Sequence, residues 1–502
     1  MNIFNGVFIL NIIWCVFLSM YQFAFLFIPL AHAWLYSRSG DLFSDGTRVR
    51  LKCVNWYGAH EELFVSGGLD QQSCGFIADR INEIGANCVR IPLSVQMVRD
   101  NPSPPSWAIA GLNQSECRNT TALGVLDCQV YTLTSRGIMV ILNSHTSAAG
   151  WVGSWETAPQ GLWHYPGYPT SDWIDSLVVL SERYRDNPLV VGMDIRNEIH
   201  DQDGVVITWG QSGDVDRDWK AATLMADTAI RRVNPDILVI VSGLSKSYDL
   251  RSMQDLHNYR SKFMFTTHVY PYSFWFREVP WEPIIWVCIV ILCLSVVGIC
   301  TFGRSTYKIM DSQDSSVYLC VCSGSILVPL LGVLVSVGWI YVSTELGCSS
   351  ISGDVNWLLC ISCVWLGFVV LSSMVLLSTE NVLDWSSLLF WFCVWNVVIC
   401  CVLIPLSFWF QTYAAVEWDL RRWKSDEIPV WVGEFGAGIG ETTKQWQWLL
   451  RAIEGRHFAY WAINGRRWKN QTSSWDAEGF GLLTPDYASI RDVNWTRTIF
   501  KN

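Results

Sequence analysis

A chain of 502 residues with 51% hydrophobic residues has room for two or three domains and a large core. Its net charge of -10 excludes the basic surface of a nucleic-acid binder. Charged residues make up only 16% and mean hydropathy is +0.24, so part of the chain is expected in lipid.

The first predicted element is an apolar run from Val7 to Leu30 that ends in "LAHAW". Ala31 and Ala33 resemble an A-x-A cleavage site, so residues 1–33 read as a signal peptide or as a retained anchor. Either one sends residues 34–280 across a membrane.

Beyond it, strand-like and helix-like runs alternate. The strand candidates are "RVRLKCVNW", "NCVRIPL", "IMVILNSH", "VVGMDIRNE", "ILVIVSGL", "KFMFTTHVY", "VWVGEF" and "FAYWAING". Helical runs lie between several of them, including "SCGFIADRINEIGA", "DWIDSLVVLSERYRD", "DWKAATLMADTAIRRVNPD" and "KQWQWLLRAIEGR". Near-continuous apolar strands separated by helices predict a parallel sheet with both faces covered. Eight of them predict an α/β fold of the TIM type, a (β/α)8 barrel.

Between the sixth and seventh strands come four long apolar runs: Ile284 to Phe302, Val317 to Val342, Trp357 to Ser378 and Leu388 to Phe410. Each has about the twenty residues a helix needs to span hydrocarbon. None contains Lys, Arg, Asp or Glu. The expected organisation is therefore a barrel split into residues 34–282 and 412–502 by a transmembrane insertion of four helices, 283–411. An even number of spans returns the chain to its starting side. Arg304 and Lys308 in the first connecting loop place that loop in the cytosol by the positive-inside rule. Both barrel halves then lie on the extracellular or luminal side. The sequons at Asn113, Asn119, Asn470 and Asn494 fall outside the runs, in keeping with that placement. So does the spacing of Cys117 and Cys128, which would close a short loop in an oxidising compartment.

Several predicted strands end in polar groups. Arg90, His145, Asn197, Glu198, His268, Tyr270, Glu434 and Trp461 all stand at or just past apolar runs. In a (β/α)8 barrel those positions line the mouth where active sites are built. Glu198 and Glu434 belong to the fourth and seventh strands, which face each other across that mouth. Two carboxyl groups about 5 Å apart suit a retaining glycosidase, one acting as acid and the other as nucleophile. Trp56, Trp151, Trp155 and Trp163 are candidates for either sugar stacking or core. "GAGIG" at 436–440 lacks the Lys-Ser/Thr of a phosphate loop and reads as a turn. No metal-ligand spacing appears, and no cofactor is expected.

With "RNE" after the fourth strand, "HVY" after the sixth and "GEFG" after the seventh, the chain resembles glycoside hydrolase family 5, the cellulase family. "VNWYGAH", "CVRIPLS", "ILNSHTSAAGW", "YWAING" and "GFGLLTPDY" extend the resemblance over residues 40–275 and 415–490, with plant-type and related eukaryotic members most similar. The resemblance implies Glu198 as acid/base and Glu434 as nucleophile. It implies Asn197 on the sugar 2-hydroxyl, Arg90 and Tyr270 beside Glu434, and His145 and His268 lining the same subsite. Trp461 would be an apolar platform for the sugar.

The expected activity is retaining hydrolysis of β-glycosidic bonds by a membrane-bound enzyme, in β-glucan or another polysaccharide. A glycolipid substrate held in the bilayer is the alternative. Transglycosylation is a further one, and a silent glycan-binding or wall-sensing protein is the reading from another class. The partners are thus a carbohydrate or glycolipid and the lipid bilayer, with oligomeric state left open. A transporter is disfavoured, because the runs lack ionisable residues.

Overall fold

The computed structural model describes residues 34–113, 117–118, 120–152, 160–250, 253, 262–271 and 428–501. The chain divides into one unit of Met1–Arg277 with Thr412–Asn502 and another of Glu278–Gln411. The second unit, with its four apolar runs, lies outside the described residues, and so does the run from Val7 to Leu30. Among the described residues no helix is long and apolar enough to cross a membrane.

The first unit opens with a three-stranded antiparallel sheet, β1 (Tyr36–Arg38), β2 (Asp41–Ser44) and β3 (Thr47–Val49). The predicted first strand "RVRLKCVNW" therefore divides, its start belonging to this sheet and its end to the barrel. The barrel consists of β4 (Lys52–Asn55), β5 (Cys88–Ser94), β6 (Met139–Thr146), β7 (Val190–Asp194), β8 (Leu238–Ser242), β9 (Phe263–His268), β10 (Val430–Phe435) and β11 (His457–Tyr460). Each pairs in parallel with the next, and β11 returns to β4 to close the ring. β5 and β7 are buried at every position, which is why they read as near-continuous apolar runs.

Helices α1 (Cys74–Glu83), α2 (Val95–Asp100), α3 (Ala122–Thr134), α4 (Thr170–Arg183), α5 (Trp219–Val233) and α6 (Lys444–Ile453) fill the connections. A hairpin, β12 (Arg466–Lys469) with β13 (Ser474–Ala477), and helix α7 (Val493–Phe500) follow β11. Two layers of core result. Outward strand residues such as Val89, Val140 and Val239 pack with the helices. Inward residues Cys53, Cys88, Ile141, Leu238, Met264 and Trp431 fill the barrel together with Leu35, Leu42 and Leu51 from the N-terminal segment. That segment plugs the N-terminal end of the barrel, where His457 Nε2 lies 3.1 Å from Asp41 Oδ1. Disulfides join Cys53 to Cys88 on adjacent strands and Cys117, ahead of α3, to Cys128 midway along it.

Helix starts follow capping chemistry. Ser73 accepts from the Phe76 amide before α1, and Thr121 from the Gly124 amide before α3. Asp218, fully buried before α5, accepts from the amides of Gly210, Ser212, Gly213, Lys220 and Ala221. Burial works against its charge, yet these amides prevail and hold its pKa below the usual carboxylate value. Asp218→Ala strands several amides at once and is expected to cost about 2 kcal/mol, measurable by chemical denaturation. A pKa depressed in the folded state gives stability that is present above the unfolded value and lost as pH falls through the folded one. Asp218→Ala is therefore expected to lose its destabilising effect in acid.

Candidate active site

The site is built around Arg90, whose side chain is fully buried inside the barrel. Its Nε and Nη2 donate to Asp194 Oδ2 at 2.9 and 2.8 Å. Nη1 donates to Asn55 Oδ1 at 3.0 Å and Glu434 Oε1 at 2.6 Å, and Nη2 to Asn197 Oδ1 at 2.9 Å. Five donors meet five contacts, so the fork is saturated and rigid. Asn55 stands opposite Arg90 in the β4–β5 register, while Asp194 and Glu434 reach it from β7 and β10. Burial raises Asp194 to about 6 against the pull of Arg90. Burial alone would lower the guanidinium pKa, but Asp194 and Glu434 raise it above its ordinary value.

Glu434 stands at a bulge of β10, opposite His268 in β9. Its second oxygen accepts from Tyr270 Oη at 3.0 Å, so both oxygens are held. The flanking glycines have steric reasons. A Cβ at Gly433 would collide with Thr266 Oγ1, and one at Gly436 with the carbonyl oxygen of Trp461.

Glu198 follows β7 with φ of 35°, a left-handed conformation that costs a non-glycine residue about 1 kcal/mol or more and gathers at functional sites. Its Oε1 lies 2.8 Å from His268 Nδ1, and its side chain is 22% exposed, against 6% for Glu434. Burial raises the Glu198 pKa above the ordinary glutamate value, opposed by Lys246, His200 and Arg90. One carboxylate oxygen from each glutamate lies within 4.8 Å of the other, with His268 in the same cluster.

The imidazoles around them are held neutral. Burial takes His268 down to about 4, with Arg90 adding to the effect and Glu434 opposing it. Burial likewise takes His60 to about 3 and His145 well below its ordinary value. His145 Nδ1 lies 2.8 Å from Asn143 Oδ1, which only accepts, so the proton sits on Nδ1. Nε2 is then free to receive Asn197 Nδ2 at 3.4 Å. Trp461, 7% exposed, stacks on Tyr57 at 4.9 Å. Trp151 lies 5.6 Å from Tyr57 and 6.3 Å from Trp461.

Glu198, Glu434, Asn197, Arg90, His145, His268, Tyr270 and Trp461 thus form one constellation at the strand ends. Of the tryptophans considered as sugar platforms, Trp151 joins it. Trp56 and Trp163 do not: both are fully buried, and their indole N–H groups donate to the carbonyls of Gly67 and Val215. Trp155 lies outside the described residues. Asn55, Asp194, Tyr57 and Glu478 are not singled out by the sequence. Asp194 could have been, since it precedes Arg196 by two positions in the same polar strand end. Tyr57 Oη donates to Glu478, a pairing across more than four hundred residues that no local pattern announces.

Glu198, His268 and Glu434 are also close enough to hold a cation. Arg90 and Tyr270 already occupy Glu434, and a fixed guanidinium beside it disfavours a second positive charge. Cys117 and Cys128, grouped with Cys74, are joined in a disulfide.

Residues 66–287 match the family model of cellulase, glycosyl hydrolase family 5. The matched span holds Arg90, His145, Asn197, Glu198, His268 and Tyr270 and stops before Glu434. An endoglucanase of Paenibacillus polymyxa is 30% identical over 211 residues, 42% of this chain and 50% of that protein. A glycosyl hydrolase 5 family protein of Chamaecyparis obtusa is 28% identical over 256 residues, 48% and 43% of the two chains. The major extracellular endoglucanase of Xanthomonas campestris pv. campestris is 27% identical over 216 residues, 43% and 42%. The chain thus spans half or less of these curated relatives. The solved catalytic domain of the Xanthomonas enzyme superposes with a TM-score of 0.53 at 17% identity, covering 93% of this chain and 100% of that one. An endocellulase of Pyrococcus horikoshii gives 0.52 at 16%, covering 93% and 98%. The structural likenesses show the barrel fold, and the sequence likenesses support the cellulase family.

Proposed function

We propose that this chain is a retaining β-glycosidase that cuts β-glucan chains, tethered to a membrane with its active site outside the cytosol. The observation that carries the chemistry is the approach of Glu198 and Glu434 to within 4.8 Å, the close spacing of a nucleophile and acid/base pair. Glu198, with its raised pKa and partial exposure, gives its proton to the glycosidic oxygen. Glu434, oriented by Arg90 and Tyr270, attacks the anomeric carbon from the opposite face. Glu198 then takes a proton from the water that releases the sugar. Asn197, fixed by Arg90 and His145, holds the 2-hydroxyl as oxocarbenium character develops.

The endoglucanase names of the relatives support β-glucan as substrate. The four apolar runs in the sequence support the tether, and the two disulfides support an oxidising compartment. The test is peptide mass spectrometry after incubation with a 2-fluoro β-glucoside carrying a good leaving group. A sugar on Glu434 is the expected result. No label from either β-glucoside or β-mannoside reagents would overturn the reading and favour a silent scaffold.

Glu198 works as an acid only while its carboxyl keeps its proton, and burial raises its pKa. Accordingly, kcat/KM is expected to fall as pH rises through that pKa. Glu198→Gln assayed on an aryl glycoside that needs no protonation is expected to lose this alkaline limb. A limb that survives the substitution belongs to another group.

A further inference from the structure

We infer that Asn470 carries an N-linked glycan whose first sugar packs on the indole of Trp468. Asn470 is exposed and opens the turn between β12 and β13 in the stretch Trp468-Lys469-Asn470-Gln471-Thr472. The turn is closed by Thr472 N–H donating to Lys469 O at 3.3 Å and Ser473 N–H to Asn470 O at 3.2 Å, with Ser473 left-handed at φ 45°. Strand alternation puts Trp468 on one side of the hairpin and Arg467 and Lys469 on the other, and Asn470 follows two positions after Trp468 as the first residue of the turn.

The Trp468 side is aromatic. Trp468 stands across from Trp475 at 5.3 Å and lies 5.0 Å from Trp107, which is 44% exposed. An exposed aromatic group of this kind marks a contact surface, and the C–H face of a pyranose is a natural partner for indole. The opposite side of the hairpin puts Arg467 over Trp151 at 4.0 Å, next to the catalytic constellation. The three indoles therefore turn away from the glutamates, which favours a sugar attached locally over a substrate chain. The sequon at Asn494 offers no such geometry: it lies within α7, and its Thr496 is buried.

Attachment breaks the bond from the anomeric carbon of a donor sugar to a polyprenyl diphosphate and forms one to Asn470 Nδ2. The diphosphate and an amide proton leave. The inference rests on the placement outside the cytosol and is independent of the glycosidase activity.

The full chain, made in a eukaryotic secretory host, tests it by glycopeptide mass spectrometry with Asn470→Gln as control. Asn470 is expected to be occupied, and enzymatic removal of the glycan to lower Tm by about 2 °C. Trp468→Ala and Trp107→Ala are expected to reduce that shift. An unmodified Asn470 in chain whose Cys117–Cys128 bond has formed overturns the inference. If that bond is also missing, the placement outside the cytosol fails with it. An equal shift in both tryptophan variants overturns the packing. So does soluble β-glucan that retards the deglycosylated parent on a gel but not Trp468→Ala.

Discussion

Glu434→Ala is expected to lower kcat on an aryl β-glucoside by about 10^5-fold while the barrel stays folded. The magnitude follows from what loss of a covalent nucleophile costs elsewhere. The fold is expected to survive because Glu434 is only one of five contacts of Arg90, whose bonds to Asp194, Asn55 and Asn197 persist. Azide separates the roles of the two glutamates. In Glu434→Ala it fits the vacated side of the sugar and is expected to restore turnover with an α-glycosyl azide as product. In Glu198→Ala the glycosyl-enzyme still forms from an activated substrate, so azide is expected to give the β-glycosyl azide. Reversed stereochemistry would exchange the two roles. No rescue in either variant, with folding intact, would remove the covalent mechanism.

The sequence displays the barrel because a strand buried on both faces is apolar over most of its length: β5, β7 and β8 are, while β6 and β9 begin apolar and turn polar toward the mouth. It hides α3, whose buried positions run almost continuously through Ala122 to Val130. A helix without a polar face shows no 3.6-residue stripe. The break between β3 and β4 is hidden as well, because alternating residues continue across Val49 to Lys52 while the chain changes sheets. At the site, strand-end position singles out Glu198, Glu434 and their neighbours, because barrel topology turns "end of an apolar run" into "mouth". Which polar groups meet is a different matter. Arg196 and Asn197 look alike in sequence. Arg196, whose pKa burial lowers to about 9, donates to the Gln160 carbonyl, whereas Asn197 meets Arg90 and His145. Trp163 and Trp461 also look alike, and only packing sends one into the core.

Arg90 is the residue whose removal is expected to cost the most stability. Arg90→Ala takes the cation from Asp194, which is fully buried and has one oxygen, Oδ1, already without a partner. Breaking one side of a buried ion pair costs about 3–5 kcal/mol, because the remaining charge stays in a low-dielectric site. Asp194 can respond by protonation, since burial already raises it to about 6. Its pKa is therefore expected to rise further in the variant, making the loss largest at high pH and smaller near pH 5. The decisive comparison is Arg90→Ala with Asp194→Asn. If the cost lies in the orphaned carboxylate, the double variant regains about 2 kcal/mol relative to the sum of the single changes. Additive losses in chemical denaturation would instead put the cost in lost packing. Arg90→Lys separates charge from geometry: an ammonium has three donors where the guanidinium uses five. It is expected to keep much of the stability yet leave Glu434 or Asn197 unheld, so kcat falls more steeply than the unfolding free energy.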